Sequence, residues 1–119
     1  MTGREKLEAE EQKRHMITLY PRCAVCGIGP STQLAHRMSQ SKANLRKYGK
    51  KKVHHHFNLV PVCGLKCNSA VLIDGNPMLR QVMVTAMTLD LDGETEAGLR
   101  ILKPYDFAAP HVFGLRRQM

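Results

Sequence analysis

The chain has 119 residues and a formal net charge of +8, with eighteen Lys and Arg against ten Asp and Glu. That length describes one domain with a modest core, the more so because its aromatics are three Phe, three Tyr and no Trp. No apolar run approaches the length of a membrane span, and Met1 to Glu11 is polar with no apolar signal segment, so a soluble, cytoplasmic protein is expected.

Residues 3–19 read as a helix in which Glu alternates with Lys or Arg, and Leu7, Met16, Ile17 and Leu19 are placed to rest on the core. Tyr20-Pro21 ends it. Cys23-Ala24-Val25-Cys26-Gly27 follows as a knuckle, then a turn through Gly27 to Ser31 and a short strand over Gln33 to His36. Ser41 is placed to cap a brief helix from Lys42 to Tyr48, which Gly49 stops ahead of Lys50, Lys51 and Lys52. Phe57 to Val62 is β-rich, and a helix is expected over residues 66–73, stopped by Asp74-Gly75. Asn76 followed by Pro77 is an N-cap and first-turn pair for a helix from Met78 to Leu89, whose methionines are core or interface filler. Glu94 to Leu102 reads as one or two further turns, ended by Lys103-Pro104. Tyr105, Phe107, Val112 and Phe113 make the last fifteen residues apolar enough to pack on the body or on a second subunit.

The four cysteines form two close pairs, Cys23/Cys26 and Cys63/Cys67, and four of the six histidines lie between them. Two short pairs on separate turns suit a tetrahedral zinc ion, and three residues between Cys63 and Cys67 remain within the usual ligand spacing. The competing reading, a pair of disulfides, requires an oxidising compartment. Bound zinc would add folding free energy that so small a core is short of.

Charge is unevenly spread. Between Gln12 and Ile73 there are eleven Lys and Arg residues and no Asp or Glu. Such a segment attracts a polyanion such as DNA or RNA, because each neutralised phosphate releases counterions.

The order of Cys23-Ala24-Val25-Cys26, Leu34-Ala35-His36-Arg37, His55-His56-Phe57-Asn58-Leu59-Val60-Pro61-Val62-Cys63 and Cys67-Asn68 resembles the HNH, or ββα-metal, nuclease family over roughly residues 20–75. The resemblance implies a zinc-bound ββα core (21–75); with the N-terminal helix (1–20) and helical C-terminal extension (76–119) read from the residues themselves, a small zinc-stabilised α+β domain is expected. The resemblance implies catalytic roles for His36, as the general base that deprotonates the attacking water, for Asn58, whose side chain holds the loop that orients that histidine, and for Asn68. In family members with Asn at this third position, such as phage junction-resolving endonucleases and the HNH domain of RNA-guided nucleases, that side chain ligates the catalytic ion. Cys23, Cys26, Cys63 and Cys67 then hold the structural zinc.

This chain departs from the family at Ala35, where many members carry an Asp or His ligand. With no carboxylate in the central segment, the catalytic ion is expected on Asn68, substrate oxygens and a histidine. His55 alone, or His54 with His56, would serve, because alternate residues of an extended segment face opposite sides. Phosphate contact or knuckle packing is an equal use for this triplet. Imidazole suits Mn²⁺, Ni²⁺, Co²⁺ or Zn²⁺ better than Mg²⁺, so a transition metal is expected to support more activity. Asp74, six residues past Asn68, lies near the opposite helix face and is discounted as a ligand.

Arg37, Lys42, Arg46, Lys47, Lys50, Lys51 and Lys52 are the expected phosphate contacts, with Tyr48 either stacking on a base or packing on its own helix. None of these reads bases, so sequence preference should be weak. The expected activity is metal-dependent hydrolysis of DNA phosphodiester bonds. The alternatives are a catalytically inactive zinc module that only binds nucleic acid, and a dimeric nuclease acting on branched DNA, in the setting of phage packaging or recombination machinery that the resemblance suggests.

Overall fold

The computed structural model describes residues 3–105 as a mixed α+β protein. Its centre is a two-stranded antiparallel sheet of β1 (Gln33–His36) and β2 (Leu59–Val62), in which Gln33 pairs with Val62 and His36 with Leu59. Helix α1 (Gly3–Leu19) precedes the sheet. Between the strands run α2 (Lys42–Tyr48), α3 (Lys50–Val53) and a single 3₁₀ turn, His56–Asn58. After β2 come α4 (Leu65–Ala70), α5 (Pro77–Leu91) and α6 (Thr95–Leu102).

Most element boundaries have local causes. The Ser41 hydroxyl accepts the Asn44 N–H at 3.1 Å and opens α2. Gly49, at φ 85°, closes it, since that left-handed conformation strains any residue with a Cβ. Asn76 Oδ1 accepts the Leu79 N–H at 3.0 Å, and Pro77 occupies the first turn of α5. Gly93, at φ 88°, turns the chain from α5 into α6.

Three expectations need correction. The helix expected over 66–73 stops at Ala70, so Val71 and Ile73 leave it and are buried in two different clusters. Phe57 and Asn58 are not in a strand; the chain tightens into the 3₁₀ turn first. Of the apolar residues of α1, only Met16 is buried, while Leu7 and Leu19 are 67% and 58% exposed. With a single buried anchor, α1 lies against the body rather than in it.

There are two small cores. One, between the sheet and the cysteine knuckles, contains Ala24, Ala35, Val60, Val62 and Val71. The other packs Met38, Phe57 and Ile73 against Met83, Ala86, Met87 and Leu102, so the α5 methionines are core residues, whereas Met78 is exposed. Tyr48 packs partly against this second core. Phe107, Val112 and Phe113 lie outside the described residues. No helix among those residues is long and apolar enough to cross a membrane.

The α5–α6 contact depends on Gly98. A Cβ there would stand 2.7 Å from the Ala86 carbonyl oxygen, a backbone atom that cannot yield cheaply. Gly98→Ala gains up to about 1 kcal/mol of helix propensity but forces the helices apart. Overpacking of this kind costs about 1–3 kcal/mol, so we expect a net loss, read as a melting temperature several degrees lower in zinc-replete buffer.

Candidate metal centre and active-site recess

The four cysteine sulfurs come together from three places: the knuckle before β1, the end of β2 and the first turns of α4. All four lie within 4.8 Å of one another. The Cys26–Cys63 and Cys63–Cys67 Sγ separations are both 3.8 Å. That is the edge of a tetrahedron with metal–sulfur bonds of about 2.3 Å, and nearly twice the roughly 2.05 Å of a disulfide. The donor set fits zinc.

The surrounding backbone prepares these sulfurs for a cation. Burial raises the Cys23 thiol, but the amides of Cys26, Val25 and Cys63 outweigh it and bring the pKa down to about 6. Amides of Gly29 and Ile28 lower Cys26. Cys63 is pushed up to about 12, first by the Cys23 sulfur and then by Cys26 and burial; Cys67 is raised chiefly by Cys23 as well. Four thiolates repel one another so strongly that the set is completed only around a dication. Gly29 makes room for the Cys63 side chain: a Cβ there would lie 3.0 Å from the Cys63 Cβ and 3.2 Å from its sulfur.

His36, the last residue of β1, is half-buried and lines an open recess of about 280 Å³ together with Gln12, Lys13, Gln33, Gln40 and His54. Its Nε2 is 3.2 Å from His54 Nδ1, with the two rings edge to face. Burial, and then the neighbouring His54, hold the His36 pKa down at about 4, so the imidazole is neutral at physiological pH. A wider trough of about 710 Å³ adjoins it, bounded by Glu5 and Glu8 of α1 on one side and Lys50 and Lys51 of α3 on the other, with His54 and Gln40 common to both spaces.

Asn58 holds this arrangement. It is fully buried, and its Nδ2 donates to the carbonyls of Met38 (3.1 Å) and Val53 (2.7 Å) while its Oδ1 accepts the Met38 N–H at 2.8 Å. Met38 is two residues past His36 and Val53 immediately precedes His54. One amide therefore ties together the chain segments that carry both histidines. Asp74 fastens the same loop from the other side, accepting from Ser39 N–H (3.0 Å) and Asn44 Nδ2 (3.2 Å). It serves the loop and is not turned to a metal.

The remaining expected site residues are spread more widely. Asn68 Nδ2 donates to Gln33 Oε1 at 2.9 Å; Gln33 lines the recess and Asn68 itself does not. Arg37, expected as a phosphate contact, is 0% exposed: the residue after His36 turns into the protein, its backbone bonded to Asn58 and Ile73, and it drops out of the basic face. Lys42, Arg46, Lys47, Lys50 and Lys51 are exposed and Lys52 partly so. Lys50 pairs with Glu5 at 3.0 Å, and Lys47 lies over the Tyr48 ring.

His55 does not join His36. Its Nδ1 accepts the Phe57 N–H at 3.0 Å, which leaves the proton on Nε2, and Nε2 meets Asp90 Oδ2 at 2.6 Å. Burial lowers its pKa more than Asp90 raises it, so the ring is neutral and donates to that carboxylate. His56 stacks on it, and His55, His56 and Asp90 form the second group of close metal-ligating side chains among the described residues. His55 thus stands with His56 and Asp90, a group that could itself hold a metal ion, and not among the residues lining the His36 recess; without an ion it ties the 3₁₀ turn to α5.

Compared with known protein families, curated proteins and solved structures, the chain matches none. The site therefore rests on its own geometry. The cysteine group was legible in the sequence, but the pairing of His54 with His36 was not, nor were Gln12 and Glu5, which α1 brings to the rim. The only sequence signal for His54 was its place in the triplet.

Two measurements follow from this geometry. The purified chain should carry one tightly bound zinc; Cys67→Ser should lose it with cooperative folding, while Gly29→Ala should retain the fold and lower zinc affinity about 10- to 100-fold in chelator competition. Asn58→Ala deletes three buried hydrogen bonds and strands their partners. We expect a loss of about 2–4 kcal/mol in denaturant unfolding, with zinc content kept.

Proposed function

We propose that this protein is a metal-dependent DNA endonuclease of the HNH class, with His36 as the general base. The observation that carries the reading is a half-buried, neutral imidazole at the end of a strand, in a recess open to solvent and flanked by lysines, on the sheet whose other end leads into the four-cysteine centre. The order of β1, basic excursion, β2, cysteine pair and α4 supports it.

A neutral imidazole can take the proton of a water molecule attacking a phosphodiester. Lys13 and Lys51, on the rims of the recess and trough, suit the phosphates on either side of the scissile bond and carry no base specificity, while Lys50 is engaged by Glu5. A bound divalent ion would supply charge stabilisation on the pentavalent phosphate and the leaving 3′-oxygen. Asn68, which bonds to Gln33 of the recess lining, is the one protein ligand we assign to it. No carboxylate lines the recess itself, and for that reason Mn²⁺, Ni²⁺ or Co²⁺ should serve better than Mg²⁺.

One observation favours a second reading, a zinc-stabilised nucleic-acid-binding module without catalysis. His36 belongs to no group of three metal-ligating His, Cys, Asp or Glu side chains among the described residues. Nicking of supercoiled plasmid decides between them. Wild type should convert plasmid to nicked or linear DNA in Mn²⁺, Ni²⁺ or Co²⁺, less well in Mg²⁺ and not with chelator, whereas His36→Ala should lose at least about 100-fold in rate with zinc content unchanged. The base must be unprotonated, so activity is lost as pH falls through its pKa; with that value near 4, the rate should stay level between pH 7 and 5 instead of halving near 6.5. Retained DNA binding with no cleavage in any metal would leave the binding module.

A further inference from the structure

His55, His56 and Asp90 lie together where the 3₁₀ turn meets α5, and no step of the proposed cleavage uses them. Their donor atoms all fall within 4.8 Å of one another, with His55 Nε2 and Asp90 Oδ2 at 2.6 Å. Two of the three side chains are held in place. His55 Nδ1 takes the Phe57 N–H at 3.0 Å, and the Thr95 hydroxyl donates to Asp90 Oδ1 at 2.6 Å. That Thr95 bond is the first of the causes that keep the Asp90 carboxyl below its usual range, so it is ionised at neutral pH. His56 is exposed and stacks on His55, with ring centroids 4.4 Å apart. His56 and Thr95 also line an open cavity of about 510 Å³ between α1 and α6, so the group is reached from solvent.

A histidine paired with one carboxylate is an ordinary way to satisfy a buried imidazole and by itself makes no site. A second imidazole stacked beside that pair, at the wall of an open cavity, completes a donor set for a borderline dication. We infer that His55, His56 and Asp90 form a second metal site, separate from the four-cysteine centre, which takes a transition dication such as Ni²⁺, Co²⁺ or Zn²⁺ and leaves its remaining positions to water from the cavity. Zinc–nitrogen bonds of about 2.0–2.1 Å set tetrahedral donors roughly 3.4 Å apart, a spacing that small side-chain rotations reach from the present one. The ion enters between His55 Nε2 and Asp90, in place of the proton that His55 now donates. The neutral ring then holds its one proton at Nδ1, so a proton lost at Nε2 is matched by one gained at Nδ1, and the Phe57 amide gives up that acceptor. This exchange, with three donors against four thiolates, makes the site weaker than the cysteine centre. Bound metal would join the turn that carries Asn58 to α5 through coordinate bonds, where the His55–Asp90 contact joins them now.

The test titrates Ni²⁺ and Zn²⁺ separately, by calorimetry, into the full chain already carrying zinc on its cysteines, without DNA. Wild type should bind one further ion per chain with a micromolar Kd, and the Phe57 amide should shift in the ¹⁵N–¹H spectrum as zinc is added. His56→Ala and Asp90→Asn should each weaken this binding at least about 10-fold. Retained cysteine-bound zinc checks that each variant is folded, and His56 is exposed, so its removal leaves the core alone. His54→Ala, which breaks the other close histidine pair, should bind the further ion as wild type does. No further ion up to millimolar metal, binding that either His56→Ala or Asp90→Asn leaves unchanged, or binding lost in His54→Ala overturns the proposal.

Discussion

The buried side chain of Asn58 is the constraint on which the site depends. An amide can make three strong hydrogen bonds at once in two directions, and all three here go to the backbone of two segments far apart in sequence, at Met38 and Val53. Its own backbone extends the tie, donating to the His55 carbonyl and accepting from the Arg37 amide. Everything inserted between the strands thus leaves and returns through one clamp. Without it, the twenty-two residues between β1 and β2 would depend on Asp74 and Gln12 alone to fix where His36 and His54 meet, against about 1–2 kcal/mol of backbone entropy per ordered residue.

The cysteine centre has a different task. The two apolar clusters are small and separate, and the first of them is built around the cysteine side chains themselves. Zinc would join the knuckle before β1 to the end of β2 and to α4, and so close the sheet on the side that the few valines cover thinly. The amide bonds to Cys23 and Cys26 indicate which half of the centre is preorganised, and the raised pKa values of Cys63 and Cys67 indicate which half the cation must deprotonate.

The electrostatics of the recess differ from those of the linear chain. The segment from Gln12 to Ile73 has no acid, yet the trough next to His36 does, because α1 folds back and sets Glu5 and Glu8 opposite Lys50 and Lys51. The exposed pair itself is worth little in stability. Its importance lies in the field felt by His54 and in the neutralisation of a lysine that a phosphate would otherwise meet.

What could be read from residues alone was local. Ser41, Gly49 and the Asn76-Pro77 pair mark their helix ends because a cap is a bond between neighbours three residues apart or a backbone angle only one residue type accepts readily. The cysteine spacings likewise announce a tetrahedral donor set before any fold is known. The alternation rule failed for His54, His55 and His56 because that segment is not extended: it passes from the end of α3 into a 3₁₀ turn, which sends His54 to His36 and His55 to Asp90. Burial of Arg37 and exposure of Leu7 and Leu19 were equally illegible, since all three reverse the usual preference of their residue type. Tertiary structure decided these points, because each depends on what a distant segment brings to the same place, and no residue carries that information in its immediate neighbours.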